Sequence, residues 1–211
     1  MTPATMQRPG AYYPICLSVE RRPCLVVGGG RVAQQKVRGL LRYGARVTVV
    51  APTLTPMLQR WCRRGAVRHH QRRFRSSDVV GQWLVYGATD DAVVQRAVFR
   101  AASRRRVWVN VVDAPALCTF IVPAQIRRGA LTVAVTTGGR SPMLAKRVRR
   151  EIERTIGPEY GQLLRLMAQA RPVVRRAVPT AAGRKRVSDR LMRSGALDQL
   201  RRGNAVGHSA P

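Results

Sequence analysis

Between residues 24 and 41 an apolar run, a glycine triplet and an amphipathic stretch follow one another without interruption. Cys24-Leu-Val-Val27 has the length and branched content of a buried strand, and Gly28-Gly-Gly30 supplies a tight turn at its end. Ala33, Val37, Leu40 and Leu41 recur at i, i+4, i+7 and i+8, which puts them on one stripe of a helix that Gly44 stops. The rest of the first half repeats the theme. Arg46-Val-Thr-Val-Val50 reads as a strand, and Thr55-Pro56 as the cap and first residue of a helix closed by Gly65. Val67 begins a weaker strand and Trp83-Leu-Val-Tyr86 a stronger one. Asp90 is placed to cap a helix to about Arg105, and Val107–Val112 forms a fifth strand. Strands alternating with helices imply right-handed crossovers and a parallel sheet covered on both faces.

The pattern changes after residue 116. Phe120-Ile-Val122 and Leu131–Val135 read as strands joined through Arg127-Arg-Gly129, too short a link for a crossover helix, so they pair antiparallel. Ser141-Pro142 caps a helix, and Pro158 separates it from another reaching about Gln169. The chain is therefore expected to be α/β: a Rossmann-type parallel sheet over 1–116, a small antiparallel element over 117–154, helices over 155–203, and a disordered tail over 204–211.

The first strand-to-helix turn has the spacing Gly28-x-Gly30-x-x-Ala33, which in this context matches the dinucleotide-binding fingerprint. Gly28 permits the turn, Gly30 lets a pyrophosphate approach the backbone, and Ala33 is small enough for close helix–sheet packing. The helix N-terminus adds free N–H groups and a favourable dipole. The same spacing would also serve a plain turn. The acidic residue expected after the second strand, for a ribose, is missing: Val50 is followed by Ala51-Pro52-Thr53. The Thr53 hydroxyl or backbone groups are the substitutes, and Arg31 leaves NAD and NADP both open on physical grounds.

Asp113 ends the fifth strand, and ligands of open α/β sheets bind beyond the carboxyl ends of the strands. A carboxylate delivered there on a rigid strand suits a general base beside a nicotinamide. The other reading of Asp113 is an Asp that merely starts the Asp-Ala-Pro turn. Thr136–Pro142 is a second glycine-containing turn, an anion cradle or an ordinary connection. His69 and His70 face opposite sides of a strand and do not act together.

Charge is the loudest feature of composition: 39 basic against 10 acidic residues, a net +29, with Lys36, Lys146 and Lys185 the only lysines. Such a surface attracts polyanions, whether nucleic acid or a small polycarboxylate. Aromatics at 5% leave little for a base-stacking platform, so nucleic acid is not the expected partner. Cys16, Cys24, Cys62 and Cys118 form no CxxC pair, which with three histidines excludes the spacing of a structural zinc site. No metal ligand set is expected. No apolar run approaches the ~20 residues of a membrane-spanning helix. Met1–Ala11 has no signal-peptide pattern, so the expected location is cytoplasmic.

The ordered set Pro14-Ile15, Val27–Gly30 with Val32-Ala33 and Lys36, Gly44-Ala45, Ala88–Asp91, Asn110–Pro115, Phe120-Ile121 with Pro123-Ala124, and Gly138-Gly139 with Ser141-Pro142 and Leu144-Ala145 resembles one family. It is similar to the precorrin-2 dehydrogenase/sirohydrochlorin ferrochelatase module of siroheme synthases, over about Tyr12–Ala170, in a stand-alone form. The resemblance implies a homodimer, with 117–154 as its dimerisation element. It also implies NAD-dependent oxidation of precorrin-2, a tetrapyrrole, to sirohydrochlorin, followed in some members by iron insertion. By the same resemblance Asp113 is catalytic, and Arg31, Val32, Pro52, Thr53 and Thr89 join Gly28, Gly30 and Ala33 in contacting NAD. Two positions depart from the pattern: Thr137 stands where some members carry a serine associated with phosphorylation, and Arg31 where an acidic or small residue is common. Two other classes stay open, a nucleotide-sensing regulatory domain without chemistry and a basic nucleic-acid-binding protein.

Overall fold

The computed structural model describes residues 12–206, and the chain forms two compact units that divide between Ile121 and Val122. The expectations for residues 1–11 and 207–211 lie outside the described residues. In the first unit β1 (Pro23–Val27), α1 (Arg31–Arg42), β2 (Arg46–Val50), α2 (Pro56–Arg63), β3 (Val67–His70), β4 (Leu84–Gly87), α3 (Ala92–Arg104) and β5 (Trp108–Val111) follow in order. All five strands run parallel in the spatial order β3-β2-β1-β4-β5. The chain leaves β1 toward β2 and β3, then crosses back to β4, so the order reverses beside β1. That reversal opens a crevice at the carboxyl ends of β1 and β4.

Both sheet faces are dry, which explains why the strands read as continuous apolar runs. Alternate residues of β1 serve opposite cores: Cys24 and Val26 pack with Val37, Val49 and Leu58, whereas Leu25 and Val27 pack with Val85, Val98 and Val109. Each fully buried valine or leucine contributes about 1.5–3 kcal/mol, so the sheet is a rigid platform for its loops. Burial also pushes the Cys24 thiol up to about 11, and all four cysteines are free.

Thr55 caps α2 and Pro56 is its first residue, as expected. The cap of α3 is Asp91 and not Asp90: its Oδ1 accepts from the N–H groups of Val93 (2.8 Å) and Val94 (3.2 Å). A capping carboxylate must sit immediately before the first helical residue, and that residue is Ala92.

The second unit opens with β6 (Ala124–Arg128) and β7 (Leu131–Val135), an antiparallel pair closed by Gly129 and Ala130. The expected strand at Phe120–Val122 does not form. The Phe120 carbonyl is taken by the Asn110 side chain at 3.0 Å, and Pro123 has no N–H for a ladder, so pairing starts at Ala124. Residues 117–121, grouped by sequence with the dimerisation element, accordingly pack with the first unit.

Four helices follow: α4 (Pro142–Thr155), α5 (Glu159–Ala177), α6 (Ala181–Arg193) and α7 (Ala196–Val206). Ser141 caps α4 as expected, its Oγ accepting from the Leu144 N–H at 3.2 Å. Two ends move outward from the sequence reading. α5 passes through Pro172, which removes a single helical hydrogen bond among good helix formers. α7 runs through Gly203 to Val206, where a tail was expected from 204, because one helical glycine costs only about 1 kcal/mol. Some arginines have internal tasks here. Arg128 donates to the Ile156 carbonyl (2.9 Å), and Arg201 pairs at 3.2 Å with Glu159, whose side chain is buried.

Candidate cofactor cleft and catalytic turn

The three glycines after β1 have three different reasons to be glycine. Gly28 sits at φ +124, and a Cβ there would overlap the carbonyl of Ala88. A Cβ on Gly29 would overlap the carbonyl of Thr53. Gly30 has an ordinary extended backbone and nothing within 4 Å of where its Cβ would lie. The protein's own packing therefore does not require glycine at position 30, which leaves the backbone there open to a ligand. Gly30 also stands at the N-terminus of α1, where no side chain caps the helix and no acidic residue occupies the first turn. Backbone N–H groups and the positive end of the dipole are thus left for an anion.

This loop forms one wall of a cavity of about 540 Å³. Of the residues singled out by sequence, Gly28, Gly30, Pro52, Thr53 and Thr89 line it together. Arg31, Val32 and Ala33 do not: Arg31 and Val32 are exposed on the first turn of α1, and Ala33 is fully buried beneath it. Gly29, Thr55, Arg72, Arg73, Phe74 and Asp91 also line the cavity, though the sequence reading assigned none of them to the cofactor. Thr55 does more than cap α2, because its hydroxyl donates to Gln34 Oε1 at 2.7 Å and ties α2 to α1 beside the glycine loop. The glycine triplet itself signalled Gly29, whereas nothing local marks Arg72 and Arg73 as wall residues.

Arg72 is fixed by a two-pronged pair with Asp78, at 2.9 and 2.5 Å, and the Arg75 N–H donates to the same carboxylate at 2.8 Å. Burial on its own would raise the Asp78 carboxyl, but the Arg72 fork, the Arg75 N–H and the charges of Arg72 and His70 hold it below its ordinary value. A depressed carboxyl stabilises the fold above its unfolded value and loses that contribution as pH falls through the folded one. Asp78→Asn should therefore lower the melting temperature at neutral pH. The gap from the parent chain should narrow only below the ordinary Asp value of 3.8. A gap independent of pH would contradict the ion pair's role.

Asp113 lies at the other end of the crevice side of the sheet, two residues beyond β5, and does not line the cavity. It is exposed and held at φ +58, a left-handed conformation that non-glycine residues rarely adopt. A cation stands in its neighbourhood. The Lys36 ammonium sits 5.2 Å from the centre of the Tyr86 ring, lowered by burial while the charges of Cys118 and Asp113 act to raise it. Tyr86 in turn meets Phe120 edge-on at 5.5 Å. In the second unit, the Thr137 hydroxyl accepts from the Ser141 N–H (3.1 Å) and donates to its carbonyl (3.0 Å). Among the described residues no three of His, Cys, Asp and Glu come together as a metal ion would need.

Residues 15–124, just over half of the chain, match the family described as putative NAD(P)-binding. The chain belongs to that family. Residues 128–155 of this NAD(P)-binding protein match a second family, described as sirohaem biosynthesis protein central. Siroheme synthase of Methylobacillus flagellatus is 46% identical over 172 residues, covering 82% of this chain and 37% of that protein. Siroheme synthase of Methylococcus capsulatus is 42% identical over 194 residues, covering 92% and 41%. The chain thus spans about two fifths of the length of these curated relatives. Among solved structures it is similar to SirC, precorrin-2 dehydrogenase, with a TM-score of 0.74, 25% identity and coverage of 90% of this chain and 100% of that one. Parallel sheet, antiparallel pair and C-terminal helices all belong to that shared fold.

Proposed function

We propose that this chain oxidises precorrin-2 to sirohydrochlorin, with NAD as the hydride acceptor, in siroheme biosynthesis. One observation carries the reading: a chain alike over nine tenths of its length to a precorrin-2 dehydrogenase presents an unoccluded Gly30 and, from the same end of the same sheet, Asp113. Bound nicotinamide supplies the two-electron acceptor. Gly30 and the first-turn N–H groups of α1 hold the pyrophosphate, with Arg31 and Val32 presenting those groups and Ala33 keeping α1 against the sheet. Thr53 and the backbone at Pro52 take the place of the missing ribose acid, and Thr89 borders the cleft from the segment after β4. Asp113 accepts the proton that the tetrapyrrole gives up. The same carboxylate is placed to take pyrrole N–H protons if ferrous iron is a second substrate.

Product analysis tests this directly: incubation with precorrin-2 should give the absorption of sirohydrochlorin only when NAD is added. Unchanged precorrin-2 would favour a nucleotide-sensing domain. The arginine-rich surface is assigned to the substrate's carboxylates, so precorrin-2 affinity should weaken with rising salt much more than NAD affinity does. Tight DNA or RNA binding at physiological salt, with a steep salt slope, would contradict that assignment.

The homodimer belongs to the same proposal, and sedimentation at assay concentrations distinguishes it from a monomer. A cytoplasmic location fits four free cysteines, and no helix among the described residues is long and apolar enough to cross a membrane. Fractionation with an antibody to the chain checks it.

A further inference from the structure

Cys118 has no part in the chemistry above, yet its thiol is the hub of the turn that carries Asp113. The side chain is almost completely buried. Its Sγ accepts from the Val111 N–H at 3.3 Å and from the Asn110 amide at 3.5 Å. Its single proton has two acceptors in reach, the carbonyls of Val111 (3.2 Å) and Ala114 (3.4 Å). These contacts bracket Asp113 from both sides. The next residue extends the attachment, because the Thr119 N–H donates to the Val109 carbonyl at 2.8 Å and its hydroxyl accepts from the Val109 N–H at 2.8 Å. The 118–120 segment thus clasps β5, an edge strand whose outer side no other strand covers among the described residues.

Asp113 needs such a clasp. A left-handed aspartate costs about 1 kcal/mol or more and persists only where its surroundings enforce it. Asp113 itself makes none of the side-chain bonds that shape the turn; Cys118 accepts two and gives its one proton to either of two carbonyls.

We propose that Cys118 is a positioning residue: its thiol pins residues 110, 111 and 114 so that the Asp113 carboxylate is held at one place beyond the end of β5. The inference rests on the reading of Asp113 as the base. Burial, the largest influence on this thiol, pushes it above its ordinary value, which keeps the donated proton in place at working pH.

The test compares Cys118→Ala, Cys118→Ser and Asp113→Asn in the full chain, with melting temperature, NAD affinity, kcat, KM and the pH–rate profile read on each. A displacement of about 1 Å is enough to cost on the order of 10²-fold in rate. Cys118→Ala should therefore lose roughly 10–10²-fold in kcat, with KM and NAD affinity nearly unchanged and the acid limb of the pH profile displaced. Cys118→Ser, which keeps a donor and an acceptor, should restore most of the rate and the parental pH profile. In the Asp113→Asn background, Cys118→Ala should bring little further loss, because both changes act on the same proton transfer. If Cys118→Ala melts below the assay temperature, Cys118→Val is read in its place with the same expectation.

Parental kcat in the folded Ala or Val variant overturns the clasp. So does a full additional loss in the Asp113→Asn background, which would mean a general packing defect. If Asp113→Asn alone keeps its rate, the base assignment itself fails and the clasp falls with it. Loss in Asp113→Asn with none in Cys118→Ala removes only the clasp.

Discussion

Asp113→Asn should reduce precorrin-2 oxidation by roughly 10²–10⁴-fold, the range expected when a positioned general base is removed. The amide keeps the size and the turn-forming character of the side chain but cannot take a proton. NAD affinity should stay close to parental, because the cavity around Gly28, Gly30 and Thr53 does not include Asp113. Stability should change little, since asparagine tolerates the left-handed backbone at φ +58 as well as aspartate does. A folded, NAD-binding variant retaining more than about a tenth of the rate would falsify the assignment. A variant that loses its melting temperature but keeps its turnover per folded molecule would reduce Asp113 to a turn former.

Gly30→Val and Gly28→Ala should fail in opposite ways. At Gly30 the backbone is ordinary and the space beside it is open, so valine costs the fold only about 1 kcal/mol in helix capping preference. On the proposed reading its branched side chain would stand where the pyrophosphate binds, and NAD binding should be lost from a protein that melts near the parental temperature. At Gly28 even a methyl group overlaps the Ala88 carbonyl at a φ that L-residues avoid. Gly28→Ala should lose about 2–4 kcal/mol and melt well below the parent. Calorimetric NAD titration beside thermal melts separates the two. Unchanged NAD affinity in Gly30→Val would mean that the loop is only a turn.

The parallel sheet was legible because each strand is an apolar run bounded by a turn residue with one evident task. Gly44, Thr55-Pro56 and Gly65 punctuate the chain where the sequence places them. The errors arose where long-range contacts overrule local pattern. Phe120–Val122 has the composition of a strand, but its first carbonyl is claimed by Asn110, ten residues upstream. Asp90 and Asp91 are equal candidates for a cap until the start of α3 is known. Within the site, Gly28 and Gly30 were visible as the turn after β1 and Thr53 as a hydroxyl just after β2, whereas Pro52 and Thr89 came from the family resemblance; all five line the cavity. Arg72 and Arg73 reach the same cavity from beyond β3, and only the packing of β3 on β2 brings them there. Cys118 looked like an ordinary buried thiol, since its hydrogen bonds depend on how the segment after β5 folds back.

The central claim is that one chain carries both a nicotinamide cleft and the base that completes the oxidation. The most direct measurement is the stoichiometry of an anaerobic reaction, with reduced nicotinamide and sirohydrochlorin quantified from the same sample. The account predicts one molecule of each formed per precorrin-2 consumed, and neither formed by the Asp113→Asn variant on the same timescale. Sirohydrochlorin appearing without reduced nicotinamide, or no consumption of precorrin-2 by a chain that binds NAD, would contradict it.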